Sequence, residues 1–65
     1  MSNLADNLKR LRKAKGLTQE KVARLADLTN NTIIKIEANK NKNPTLDTLK
    51  RISKALGVSV DELII

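Results

Sequence analysis

The chain has no cysteine, no histidine and no aromatic residue, with only two glycines and one proline among 65 residues. Without cysteine, no disulfide or thiolate–metal site can staple the fold. Without histidine, a zinc site would have to rest on carboxylates alone, a donor set that zinc seldom takes; no metal and no cofactor are expected. Without Phe, Tyr or Trp, there is no platform on which unpaired bases can stack, which argues against the usual single-stranded nucleic-acid modules. Two glycines are too few for a glycine-rich phosphate loop. No apolar run approaches the roughly 20 residues of a membrane span. The opening MSNLADNLKRLRKAKG lacks the uninterrupted apolar stretch of a signal peptide. The expectation is a cytoplasmic protein with no membrane partner.

What is present is a short, basic, aliphatic chain. Its length allows one domain, residues 1–65, with a modest core of Leu, Ile, Val and Ala held by helix packing and by any partner subunit. The formal net charge is +6, and a basic excess points toward polyanionic partners. The excess is uneven: residues 1–26 carry seven Lys/Arg against two Asp/Glu, whereas residues 45–65 carry three of each.

Caps and apolar spacing predict five helices and no strand pair. The first covers about 3–15, with Leu4, Leu8 and Leu11 at helical spacing and Gly16 as its stop. The second follows Thr18 as N-cap and turns Val22, Ala23 and Ala26 inward. The third follows Thr29, buries Ile33 and Ile36, and ends near Asn39. A polar loop leads to Pro44, which disfavours helix in the residue before it. Thr45 caps the fourth helix, with Leu46, Leu49, Ile52 and Leu56 as its buried stripe and Gly57 as terminator. Ser59 and Glu62 form a capping box for a short fifth helix carrying Val60, Leu63 and Ile64.

Helices two and three are separated only by Asp27, Leu28 and Thr29. So short a connection makes them cross steeply, as in a helix-turn-helix. Ala23 is small enough for the close approach, and Leu28 can plug the gap. The outward side of the third helix offers Asn30, Asn31 and Lys35. Asn can pair bidentately with adenine, and Lys can reach the acceptors of guanine. The helix N-terminus, with Thr29, adds backbone donors and a positive dipole end suited to phosphate, and Thr18 and Gln19 offer the same at helix two. The alternative for each is plain: caps, ordinary early-helix residues and solvated charges. Lys9, Arg10, Lys13 and Lys15 read as a solvated face.

The order Leu11-Arg12, Gly16-Leu17-Thr18-Gln19-Glu20, Ala23, Thr32-Ile33, Ile36-Glu37, Asn43-Pro44-Thr45-Leu46 and Ala55-Leu56-Gly57-Val58-Ser59-Val60-Asp61-Glu62-Leu63 resembles the Cro/cI-type (XRE-type) family of phage and bacterial repressors. The resemblance implies an all-α, compact five-helix, lambda-repressor-like DNA-binding domain, with residues of about 30–38 in the major groove of double-stranded DNA. It implies base contact by Asn30, Asn31 and Lys35, and phosphate contact by Gln19 and by the loop that holds Asn39, Lys40, Asn41 and Lys42. Ile34 is expected to join the base contacts, and Thr18, Thr29 and Thr32 the phosphate contacts. The resemblance also implies a structural pair between Arg12 and Glu37. The implied setting is bacterial or phage, nucleoid-associated. The apolar C-terminus, Leu63, Ile64 and Ile65, is expected to form a homodimer interface, since one helix reads only a few base pairs and a two-fold dimer reads a palindrome.

Three positions depart from the family pattern. Asp27 stands where glycine is common in the turn, and Asp tolerates the left-handed conformation better than most residues. Leu25-Ala26 reverses the usual placing of the large apolar residue, which either rotates the packing or exposes Leu25. Ile34 replaces a polar side chain; it either touches a thymine methyl or packs against a flank. Scattered carboxylates and the lack of His and Cys argue against an enzyme, and no small-molecule ligand is evident. The competing class is a protein-interaction module on the same fold, such as an antitoxin or accessory regulator, using helix five and Ile34.

Overall fold

A computed structural model describes residues 3–65; Met1 and Ser2, the first two residues of the opening stretch read against a signal peptide, lie outside it. Five helices follow in order: α1 (Leu4–Ala14), α2 (Gln19–Ala26), α3 (Asn30–Glu37), α4 (Leu46–Leu56) and α5 (Val60–Ile64). No strand occurs among the described residues.

Each helix starts where side-chain chemistry relieves an unpaired backbone donor. Asn3, Thr18, Thr29, Thr45 and Ser59 accept hydrogen bonds from the backbone N–H of Asp6, Lys21, Thr32, Thr48 and Glu62, at 3.0–3.2 Å. Asn3 is thus a cap rather than part of α1. The capping box at α5 is closed from one side: the Ser59 hydroxyl faces the Glu62 carboxylate at 3.5 Å.

The ends are equally regular. After α1, α2, α3 and α4, a left-handed residue turns the chain, and the residue beyond it donates five positions back: Leu17 to Arg12, Leu28 to Ala23, Lys40 to Lys35 and Val58 to Ser53. These are Schellman closures. The left-handed residues are Gly16, Asp27, Asn39 and Gly57, with φ of 69°, 57°, 61° and 70°. Asp27 therefore makes the turn expected of it. Around Gly57 a Cβ would meet nothing within 4 Å, so its requirement is conformational. Gly57→Ala is expected to lower stability by about 1–2 kcal/mol, and Gly57→Asn by less. A urea-unfolding midpoint equal to that of the parent in the alanine variant would contradict the assignment.

Leu8, Val22, Ile33, Ile36, Ile52 and Leu63 are completely buried and make the core, with Ala23, Ala26 and Leu56 beside them. The third helix packs on α2 and α1, α4 on α2, and α5 closes against α1 and α4. Leu4, Leu11 and Leu28 pack partly buried against this core.

One expected core position is corrected. Leu46 is 59 % exposed. It is the first residue of α4, and the buried residues of that helix, Ile52, Ser53 and Leu56, all lie in its second half. Ser53, about 20° from Leu46 around the helix but two turns further on, is buried, its hydroxyl donating to the Lys50 carbonyl at 2.9 Å. Leu25 is half exposed, which settles the reversed Leu25-Ala26 pair: Ala26 faces the core and the larger residue faces out.

Candidate nucleic-acid interface

The three residues Asp27, Leu28 and Thr29 carry the chain from α2 into α3. The Leu28 N–H donates to the Ala23 carbonyl at 2.8 Å, and its side chain packs against the core. Burial of Ile33 and Ile36 on the inward side of α3 fixes which side of that helix meets solvent. Asn30, Asn31 and Lys35 are exposed there, and Ile34 lies among them at 40 % exposure. The structure thus brings together all four residues expected to face bases.

The flanking residues fall into two kinds. Thr18 and Thr29 are exposed caps. Thr32 is half-buried, and its hydroxyl is paired with that of Thr29 at 2.8 Å. In the loop after α3, Asn39, Lys40 and Lys42 are exposed and Asn41 is half-buried. The backbone N–H groups of Lys40 and Asn41 both donate to the Lys35 carbonyl, at 2.9 and 3.2 Å. Any anion held by those two residues must be met by their side chains.

Behind this surface lies a buried polar knot. The Arg12 Nε and Nη2 donate to the two Glu37 carboxylate oxygens at 2.6 and 3.0 Å, and Nη1 donates to the Leu17 carbonyl at 2.9 Å. The side chains of Arg12 and Glu37 are 12 % and 3 % exposed. Hydrogen bonding to Glu37 raises the Arg12 pKa above its ordinary value; burial opposes this, and the charge of Glu37 adds to it. The expected structural pair is therefore present. Sequence reasoning missed a third member: Gln19 Nε2 donates to Glu37 Oε1 at 3.1 Å. Gln19 is half-buried, and one amide hydrogen is committed inward, leaving the other for an external acceptor. The knot ties the end of α1, the first turn of α2 and the last turn of α3 into one frame.

The expected dimer surface needs a correction. Leu63 is completely buried in the chain's own core and has no area to offer a partner. Ile64 is half-buried, and Ile65 is 81 % exposed. Asn7, unnoticed in the sequence, fastens this end: its Nδ2 donates to the carbonyls of Leu63 and Ile65 at 2.8 and 3.1 Å.

No cluster of potential metal ligands occurs among the described residues, and none of the helices is long and apolar enough to cross a membrane. A groove of about 520 Å³ runs beside α2 and α4, lined by Leu25, Asp27, Asp47, Arg51 and their neighbours, and no residue of α3 lines it. Arg51 is held there between Asp47 and Asp27 at 2.9 and 3.5 Å. These exposed pairs contribute little to stability.

Comparison with known proteins is consistent with this geometry. The family model described as helix-turn-helix matches residues 8–63. A relative from Sinorhizobium fredii, the uncharacterized HTH-type transcriptional regulator y4dJ, is 39 % identical over 61 residues, covering 94 % of this chain and 78 % of the relative. Among solved structures, the restriction-modification controller protein C.AhdI from Aeromonas hydrophila superposes with a TM-score of 0.89 at 31 % identity, covering 95 % of this chain and 92 % of that one. The hydroxypropylphosphonic acid epoxidase from S. wedmorenis superposes with a TM-score of 0.86 at 28 % identity over 97 % of this chain, but over 33 % of its own. That likeness covers only a third of the epoxidase and carries no catalytic activity to this protein.

Proposed function

The chain belongs to the helix-turn-helix family, and on that premise we propose that it binds double-stranded DNA sequence-specifically as a transcriptional regulator, acting as a repressor. The observation that carries this reading is the outward side of α3. Asn30, Asn31, Ile34 and Lys35 project together from a helix whose other side is locked into the core. An α-helix fits the major groove, and amide, ammonium and apolar groups are the kinds that distinguish base edges there. Lys40, Lys42 and Asn39 follow in the loop, where they meet phosphate. Thr18, Gln19 and Thr29 do so at the starts of α2 and α3. The likeness to a protein named as a transcriptional regulator and to a restriction-modification controller supports the same reading.

In this reading, residues 1–65 act as one DNA-binding domain, and two copies bind a palindromic operator. Ile65 and the exposed part of Ile64 supply the apolar contact between copies. Their α3 helices then lie roughly 34–36 Å apart on one side of the duplex.

In-vitro selection of bound duplexes, with the mass of the complex measured, tests the proposal. The expected result is a two-fold symmetric consensus bound by two chains. Absence of any enriched sequence would overturn it and favour a protein-interaction module on the same fold. On the selected duplex, Asn31→Ala is expected to lose about 1–3 kcal/mol at one base position only. Lys40→Ala should weaken all sequences alike. Uniform loss in both variants would remove the base-reading role from Asn31.

A further inference from the structure

We infer that Ile34 makes operator recognition sensitive to a pyrimidine C5-methyl group, so that at one position of each half-site thymine is bound more tightly than uracil, and 5-methylcytosine more tightly than unmodified cytosine. The inference rests on the proposed reading of α3 as a major-groove helix.

Ile34 is one of only a few large apolar side chains left open among the described residues, at 40 % exposure. Its surroundings on α3 separate it from the others. Asn30 stands one turn before it, Asn31 and Lys35 flank it, and exposed Ala38 lies one turn after it. Ile34 and Ala38, four residues apart, make a narrow apolar strip down the middle of a polar helix face. Helical side chains lean toward the N-terminus, so the Ile34 side chain lies level with the turn that presents Asn30 and Asn31. Those amides suit the N6 and N7 of adenine, and the same A·T pair shows the C5-methyl of its thymine in the same groove. An apolar group beside an adenine-reading amide is therefore placed to meet the thymine methyl of that base pair.

No hydrogen bond is available from Ile34. What it distinguishes is the presence of the methyl group and not the identity of the base that carries it. The discrimination is one buried methyl group per half-site, which corresponds to about fourfold in affinity at about 0.8 kcal/mol. If both half-sites are altered, the factors multiply to about fifteenfold.

The experiment compares the selected duplex with copies in which single thymines are replaced by deoxyuridine, a change that removes the methyl and leaves every hydrogen-bonding group in place. Affinity is measured by fluorescence anisotropy at fixed salt. The expected result is a loss of about fourfold at one thymine per half-site, and none at the others. In Ile34→Ala, which shortens an exposed side chain on an otherwise unchanged helix, the thymine and deoxyuridine duplexes should bind alike. At a position where cytosine replaces that thymine, 5-methylcytosine should recover part of the lost affinity. Equal binding of all deoxyuridine duplexes by the unaltered protein overturns the inference while leaving duplex binding intact. The same holds if Ile34→Ala keeps the full discrimination. Failure to bind any duplex overturns the functional reading itself.

Discussion

Glu37→Ala is expected to unfold much of the protein at room temperature. The substitution leaves the Arg12 guanidinium at 12 % side-chain exposure with the Leu17 carbonyl as its one remaining partner among the groups that now hold it. An unpaired buried charge of this kind costs about 3–5 kcal/mol. A chain of this length has a total stability of only roughly 3–10 kcal/mol. The Gln19 amide loses its acceptor at the same time. Replacing both charges, as in Arg12→Met with Glu37→Leu, should be milder than Glu37→Ala alone, because no charge is then stranded. Urea unfolding followed by circular dichroism separates these cases. A loss below about 1 kcal/mol for Glu37→Ala would mean that the pair does not hold α1 and α3 together.

The second large effect concerns salt. Lys40 and Lys42 are exposed beside the proposed groove-facing surface, giving four such cations when two copies act together. Each cation that neutralises a phosphate releases condensed counterions, so the logarithm of affinity falls against the logarithm of salt with a slope of about −3.6 for four contacts. Between 50 and 200 mM salt, affinity for duplex DNA should fall by about 150-fold. Lys40→Ala should flatten the slope by about one for each copy bound. A flat dependence in the parent protein would mean that DNA phosphates are not its partner. It would instead favour an uncharged protein surface as the ligand.

Much of this fold could be read without coordinates because its signals are local. The threonine and serine caps act over three residues, and Gly16, Asp27 and Gly57 act at single backbone positions, so the five helices and their breaks follow from neighbouring residues alone. The exposed row of Asn30, Asn31 and Lys35 was legible for a similar reason: once Ile33 and Ile36 are assigned inward, helical geometry puts the rest outside. The errors lie where position depends on docking between distant segments. Leu46 fits an apolar stripe, but as the first residue of α4 it lies short of the buried half of that helix, Ile52 to Leu56. Leu63 was read with the terminal isoleucines, yet the docking of α5 on α1 and α4 takes it wholly inside. Gln19 and Asn7 reach partners 18 and 56 residues away, and no spacing rule announces such bonds. Arg12 and Glu37, 25 residues apart, were found only through resemblance to a family.

The most direct test follows backbone and side-chain amide resonances of isotopically labelled protein as the selected duplex is added. The account predicts that the largest changes fall on Asn30, Asn31, Ile34 and Lys35, with smaller ones at Thr18, Gln19 and residues 39–42. Changes centred on Leu25, Asp47 and Arg51, with the α3 resonances unmoved, would contradict it.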